Sequence, residues 1–371
     1  MNEAKFRLNQ PHFPPTPCIR FYDQHIPSFV EVALDERYGS LYGSMPQLAL
    51  YSLTGISTYA DWSGDRIREL FLYRREQRSI TVINQGMAID SAAVQRFATA
   101  VFEHESGTNR IRFDSIRLRD PGRLKRKVCL PVSDDMVIEL PATASAYIAT
   151  LGRSLRQSLQ SRLKRSVGLR HQIVQGPAID TALLQRIIGF NHARMAAKQR
   201  HSAIDQAATE RLLRLGRARG MVGTIEIDGR LCAGSLVCRF GDDVFSLLNA
   251  HDPALNALGL GKLSRHLMIL EAIRTGARRF HLLGGYYDSK RPFGAQRLKL
   301  YGLRVYRNRV SMIADSVALV RLLLRSLNYQ LRNRLEAQRS EATSKLQRNF
   351  SISSVSVLPR HQRRVSGLWR E

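Results

Sequence analysis

The stretch Ser246-Leu-Leu-Asn-Ala-His-Asp-Pro-Ala-Leu-Asn-Ala-Leu-Gly-Leu-Gly-Lys-Leu263 gathers residue types suited to holding an anion. Gly259 and Gly261 carry no Cβ at the mouth of an expected helix, so several backbone N–H groups can turn toward one guest. The positive end of the helix dipole attracts the same anion, and Lys262 adds a charge-assisted contact. A pyrophosphate is the natural guest. The spacing alone is weak, because a polar-x-x-G-x-[GA] run arises by chance in about every second chain of this length. Placement after an antiparallel strand and before a helix then a strand is what raises its weight. A Rossmann site needs a βαβ unit with Gly-x-Gly-x-x-Gly, and a Walker A loop needs G-x-x-x-x-G-K-[ST]; the sequence has neither.

The elements that must position this loop read as follows. Asp180 begins a helix to about Ala197, and residues 205–219 form another, stopped by Gly220. Met221–Ile227 and Leu231–Phe240 flank the turn Asp228-Gly229, a strong hairpin signal. Val244–Ala250 is a third strand, followed by the loop, the helix Gly261–Thr275 and the strand Arg279–Leu283. Upstream, Glu69–Tyr73 and Ser79–Asn84 alternate as a hairpin. Ser91 is the expected N-cap of the helix Ala92–His104, and Ile111–Ile116 and Met136–Leu140 are short strands. Residues 143–167 read as one helix with Leu151, Leu155, Leu159 and Leu163 on a single stripe. Six Lys or Arg and no acid lie between Arg153 and Arg170.

In the helix expected over 311–338, Val317, Val320, Leu324, Leu327 and Leu331 share a face flanked by Arg321, Arg325, Arg332 and Arg334. Such a helix lies on an anionic membrane surface or packs its Leu face on the sheet, and the second is the working expectation. The divisions expected are an extended segment 1–27, a first domain 28–142, a basic connector 143–170, a second domain 171–310, the helix 311–338, and a disordered basic tail 339–371.

Charge is the unusual bulk property: 57 Lys plus Arg against 31 Asp plus Glu give +26 in 371 residues. That excess favours an anionic partner without choosing among nucleic acid, phospholipid, acidic polysaccharide and a phosphate-bearing cofactor. Cys18, Cys129, Cys232 and Cys238 are scattered, which predicts free thiols in a cytoplasmic protein and no metal. The N-terminus has an early acid, several prolines and no apolar h-region, unlike a secretory leader, and no apolar run approaches the length of a membrane span.

Taken together, the hairpin, third strand, Gly-x-Gly loop, helix and following strand resemble the core of the GNAT acyltransferase superfamily. There a [QR]-x-x-G-x-[GA] loop binds the CoA pyrophosphate; the matching positions here are Asn256, Gly259 and Gly261, with Asn departing from Gln or Arg. Phe280-His-Leu-Leu-Gly-Gly-Tyr-Tyr-Asp-Ser-Lys-Arg-Pro-Phe-Gly294 is similar to the ending of a CelD-like (cellulose-biosynthesis-type) two-domain branch distantly related to Fem transferases. Ser289 stands where that ending has Tyr. The connector around Ser154–Arg165 and the helix containing Phe190-Asn-His-Ala-Arg194 resemble the same branch. The resemblance covers about residues 145–310 well and 30–140 as a general pattern.

The resemblance implies an α/β (α+β) fold of two GNAT-like halves, the first degenerate, each a mixed, mostly antiparallel sheet flanked by helices. It implies acetyl-CoA or another acyl-CoA as cofactor, held by Leu248, Asn249, Ala250, Asn256, Gly259, Leu260, Gly261 and Lys262. His251, Tyr286, Tyr287 and Asp288 are the candidates for proton transfer, with Asp252 and His281 nearby. Arg156, Arg194, Lys290 and Arg291 are candidates for binding the acceptor. The expected activity is acyl transfer to an amine, such as an amino sugar in polysaccharide or envelope synthesis, in the cytoplasm or on the inner face of the membrane. The alternatives are a Fem-like aminoacyl-tRNA-dependent transferase and a non-catalytic nucleic-acid-binding protein.

Overall fold

Asp228 and Gly229 both take positive φ, 51° and 77°, the conformation a two-residue hairpin turn requires. The computed structural model that shows this describes residues 18–120, 126–165, 168–285 and 288–353, with backbone alone for 164–165 and 339–353. The chain divides into two compact units, Met1–Ser326 and Leu327–Glu371.

The first half supplies β1 (Cys18–Tyr22), α1 (Val30–Tyr38), α2 (Met45–Leu48), β2 (Ile56–Ser63), β3 (Arg66–Glu76), β4 (Ser79–Val82), β5 (Ala88–Ile89), α3 (Ser91–His104), β6 (Arg110–Leu118) and β7 (Lys127–Glu139). Two helices, α4 (Ala144–Thr150) and α5 (Arg153–Arg165), lead into the second half. It consists of β8 (Leu169–Gln175), α6 (Thr181–Ala196), α7 (Gln206–Arg219), β9 (Gly220–Ile227), β10 (Arg230–Phe240), β11 (Asp243–His251), α8 (Leu260–Arg274), β12 (Arg279–His281) and β13 (Gln296–Tyr306). The chain continues into α9 (Arg309–Ala314) and α10 (Ser316–Ser353).

The strands form one mixed, mostly antiparallel sheet in the order β1-β2-β3-β4-β6-β13-β7-β12-β11-β10-β9-β8. In each half a helix crosses over between two parallel strands: α3 between β4 and β6, and α8 between β11 and β12. The halves are joined by exchange. β7, which ends the first half, pairs with β12, while β13 pairs with β6 and with β7. The sequence reading expected only Met136–Leu140 of β7 and passed over β13, although apolar and polar residues alternate along much of it.

Each face of the sheet buries its own apolar residues. In the first half Phe97 of α3 packs against Tyr59, Phe71 and Phe113 of the sheet. In the second, Met268, Ile269 and Ala272 of α8 pack with Phe280 and with Leu151, Leu155 and Leu159. Ile187 and Ile188 of α6 pack with Val222 and Leu248 on the other face.

Two expected helices are corrected. The connector is broken: Leu151 is extended (φ −71°, ψ 142°), Gly152 follows it, and α5 starts afresh, leaving Leu163 44% exposed. The face of the C-terminal helix expected on the sheet instead points away from it, with Val317, Val320 and Leu324 exposed. The inner face is set by Asp315, Leu322 and Ser326, all nearly fully buried. Tyr306 donates to Asp315 Oδ2 at 2.8 Å, and Arg110 pairs with the same carboxylate. A Cβ on Gly302 of β13 would stand 2.7 Å from Leu322 Cδ1, so that side chain lies close against the backbone. Replacing Leu322 by Ala is therefore expected to cost about 2–4 kcal/mol in urea unfolding, while Leu324→Ala changes stability by less than about 0.5 kcal/mol.

The second unit, among its described residues, is the remainder of α10, with Leu327, Leu331 and Leu335 exposed. Its backbone stays helical to Ser353, past residue 338; the rest of the expected tail, 354–371, and residues 1–17 of the expected extended segment lie outside the described residues.

Candidate functional site

Strands β11 and β12 pair in parallel from Asp243↔Arg279 to Phe245↔His281, and there β12 ends while β11 continues to His251. Just past that point β11 bulges: Leu236 faces Leu248 and Val237 faces Ser246, so Leu247 is the extra residue. Among the described residues, no strand pairs with the far half of β11 on its β12 side. Its backbone groups are thus open toward the gap between the two strands, where Leu248, Asn249 and Ala250 had been expected to line a thioester.

The loop that follows is held from several sides. Asp252 caps the turn Pro253–Leu258, accepting from Ala254 N–H at 3.0 Å and pairing with Arg230 at 2.6 Å. Gly259 then takes φ 62° and begins α8 without a side-chain cap. Its own N–H is bonded to Asn256 O at 3.0 Å, and its carbonyl accepts from Lys262 N–H at 3.1 Å. Leu260 and Gly261 occupy the first two helical positions, whose N–H groups have no acceptor within a helix. Asn249 Nδ2 donates to Gly261 O at 3.1 Å, and His251 Nε2 lies 2.9 Å from Asn256 Oδ1, an acceptor, so that nitrogen carries the proton. Asn249, Asn256 and Gly261, expected to hold the cofactor, and His251, a candidate for proton transfer, are thus brought together.

Sequence reading missed one cation here. Arg162 of α5 donates through Nη1 to Leu258 O and through Nε to Ser158 Oγ at 3.1 Å. A Cβ on Gly259 would fall on that guanidinium. Only the run of basic residues in the connector hinted at it; Arg156, half-buried on the same helix, had been singled out instead. The side chains that touch the bend through Arg162 and Asn249 are donors and occupy its carbonyls. Its first-turn amides, beside Gly261 and the exposed Lys262, therefore keep the character of an anion cradle, as a pyrophosphate requires.

The corresponding helix mouth in the first half is closed by acids. The N-cap of α3 is Asp90, not Ser91 as expected, and its carboxylate accepts from Ala93 N–H at 2.7 Å. Asp120 Oδ1 accepts from Ser91 N–H at 2.7 Å. Two carboxylates thus fill the place where an anion would sit on the equivalent helix. Built on one topology, the halves differ in which of them leaves its helix terminus open.

The remaining predicted residues are scattered. Tyr286 and Tyr287 lie outside the described residues, and Asp288 is half-buried in the turn after them. Lys290 is buried and donates to the carbonyls of Leu282, Leu283 and Gly284 at 2.8, 2.8 and 2.6 Å, tying the segment after β12, while Arg291 is exposed. Arg194 donates to Asn191 Oδ1 at 3.0 Å and sits near Arg265, whose guanidinium is pushed below its ordinary range first by burial and then by the Arg194 charge. His281 is buried where β11 and β12 part, stacked on Phe245 at 4.2 Å. Its Nδ1 lies 2.6 Å from Asp135 Oδ2 on β7 and its Nε2 3.2 Å from Asp243 Oδ2. Burial pushes the imidazolium down, but the two carboxylates outweigh it and hold the group above the usual histidine range.

Residues 153–291, from the first residue of α5 to just beyond β12, match the sequence family described as Acetyltransferase (GNAT) domain. Residues 153–291 thus carry an acyltransferase domain of the GNAT type. Among solved structures, the crystal structure of FemX superposes with a TM-score of 0.55 at 10% identity, over 76% of this chain and 96% of that one. L-PGS from Bacillus licheniformis gives a TM-score of 0.49 at 11% identity, over 82% and 98%. At these identities the likeness to FemX is one of fold. No curated protein sequence matches the chain.

Proposed function

We propose that the second half binds an acyl-CoA and transfers its acyl group to an amine, an amino sugar of a polysaccharide or envelope component being the acceptor class favoured. The observation that carries this reading is the uncapped start of α8 at Gly259–Gly261, beside the open edge of a bulged β11, in the segment that matches the acetyltransferase family. Leu260 and Gly261 N–H, with Lys262 and Arg162, hold the diphosphate. A backbone N–H on the free edge of β11 polarises the thioester carbonyl. Bound acyl-CoA supplies the activated thioester. The amine nitrogen attacks the carbonyl carbon, the C–S bond breaks, the amine proton passes to a base, and the departing thiolate takes a proton. Asp288 and the Tyr286-Tyr287 pair are the groups proposed for these transfers; His251, whose Nε2 proton goes to Asn256, braces the loop.

The chain fits the CelD-like two-domain branch in this reading and works in the cytoplasm on a small-molecule or glycan acceptor. The +26 charge favours a second reading, a Fem-like transferase that takes its aminoacyl group from tRNA. Isothermal titration of the full chain with acetyl-CoA, CoA and bulk tRNA at two salt concentrations separates the two. Saturable, micromolar-range CoA binding is the expected result. Salt-sensitive tRNA binding with no CoA binding would overturn the acyl-CoA reading.

A further inference from the structure

Six aliphatic side chains at the start of the C-terminal helical segment point into solvent: Val310, Ile313, Val317, Val320, Leu323 and Leu324, all between 47% and 74% exposed. Within α10, Val317, Val320 and Leu324 recur at three and four residues and line one face. Leu322 and Ser326, which face the sheet, are 3% and 1% exposed. At about 100° per residue, Leu324 stands about 200° from Leu322, so the aliphatic stripe lies opposite the face that packs. The helix is apolar on two opposite sides, and the fold uses only one of them. A run of exposed aliphatic residues on a folded surface marks an interaction site.

The charges around the stripe indicate what covers it. Arg309, Arg321 and Arg325 are exposed. The single acid between Arg309 and Ser326 is Asp315, which is buried and engaged by Arg110 and Tyr306. Asp114 of β6, near Arg325, is already paired with Arg112 and Arg304, so among the described residues a second copy of this +26 chain offers no unengaged acid beside the stripe and would bring like charges together. An anionic lipid headgroup answers them, and the acyl boundary beneath it takes the aliphatic side chains.

We infer that residues 309–326 dock the protein on an anionic bilayer surface, with Val317, Val320 and Leu324 inserted among the acyl chains and Arg321 and Arg325 on headgroup phosphates. The helix lies on the membrane and does not cross it: among the described residues, no helix is long and apolar enough to span one. This inference is independent of the acyl donor and stands whether or not CoA binds.

The test is co-sedimentation of the full chain with vesicles of phosphatidylcholine alone and of phosphatidylglycerol and phosphatidylcholine at roughly one to three. Binding to the anionic vesicles only, weakened by salt, is expected. A Val317→Gln/Val320→Gln/Leu324→Gln variant keeps the charge and good helix formers at exposed positions, and its affinity for those vesicles should fall at least about tenfold. An Arg321→Gln/Arg325→Gln variant should weaken binding and flatten its salt dependence. Circular dichroism melts of both variants matching the parent exclude unfolding as the cause. Vesicle binding that the aliphatic variant retains in full would overturn the inference, because the charge of the whole chain would then suffice. So would a concentration-dependent dimer in sedimentation equilibrium that the same variant abolishes, since the stripe would then belong to a second copy.

Discussion

Replacing Gly261 by Asp is expected to weaken acyl-CoA binding roughly a hundredfold or more while leaving the fold intact. Gly261 is the second residue of α8, and its φ is not in the left-handed region, so the position itself tolerates a side chain. A Cβ there would stand 2.9 Å from His251 Nδ1, a ring held by Asn256 that can give by a few tenths of an ångström. A carboxylate in the first turn favours the helix through its dipole, so the melting temperature should hold or rise. The same carboxylate would lie against the amides that are to receive a diphosphate. The first half already carries acids at the equivalent helix mouth, since Asp120 binds the N–H of the first residue of α3 and Asp90 that of the third. Calorimetric titration with CoA and a thermal melt of the same sample check both sides. CoA affinity equal to that of the parent would mean that the mouth of α8 is not the diphosphate site.

Gly259→Ala is a harsher change of a different kind. It meets both a φ of 62° and the guanidinium of Arg162, so affinity and stability should fall together.

What could be seen in the sequence divides by range along the chain. The hairpin at Asp228-Gly229, the helix from Asp180 and the Gly259–Gly261 turn are local: a few residues dictate their backbone, and the structure has them where expected. The joining of both halves into one sheet was not legible. It depends on β7 and β13 pairing with each other and with strands of the opposite half, a matter of contacts between residues far apart in sequence. The C-terminal helix shows why a stripe is an ambiguous signal. Val317, Val320 and Leu324 outnumber Leu322, the buried aliphatic side chain of α10, so counting apolar positions selects the wrong face; Asp315 and Leu322 select the right one through contacts with Arg110, Tyr306 and Gly302. The site splits in the same way. Asn249, His251, Asn256 and Gly261 are near in sequence and were found together. Arg162 and Asp135 reach their partners from other elements and could not be picked out of a basic helix and an acidic pair.

His281→Leu is expected to destabilise the protein by about 3–5 kcal/mol near pH 6.5, because it strips the counter-charge from buried carboxylates. Asp243 would keep Arg279 at 2.7 Å, but Asp135 would lose the partner 2.6 Å from its Oδ2. The effect has a definite sign with pH. Burial opposes the imidazolium and the two carboxylates overcome it, so the folded value lies above the ordinary histidine value of about 6.5. The stabilisation is then fully present below about pH 6.5 and is lost as pH rises through the folded value. Stability of parent and variant, measured by denaturant unfolding from about pH 6.5 to 9, should differ most at the acidic end and converge toward the basic end. His171 and His266, which burial pushes the other way, contribute the opposite slope in both proteins and cancel in the difference. A gap that widened with rising pH would mean that His281 is neutral in the fold. The link between β7, β12 and β11, where the two halves of the sheet meet, would then rest on hydrogen bonding without charge.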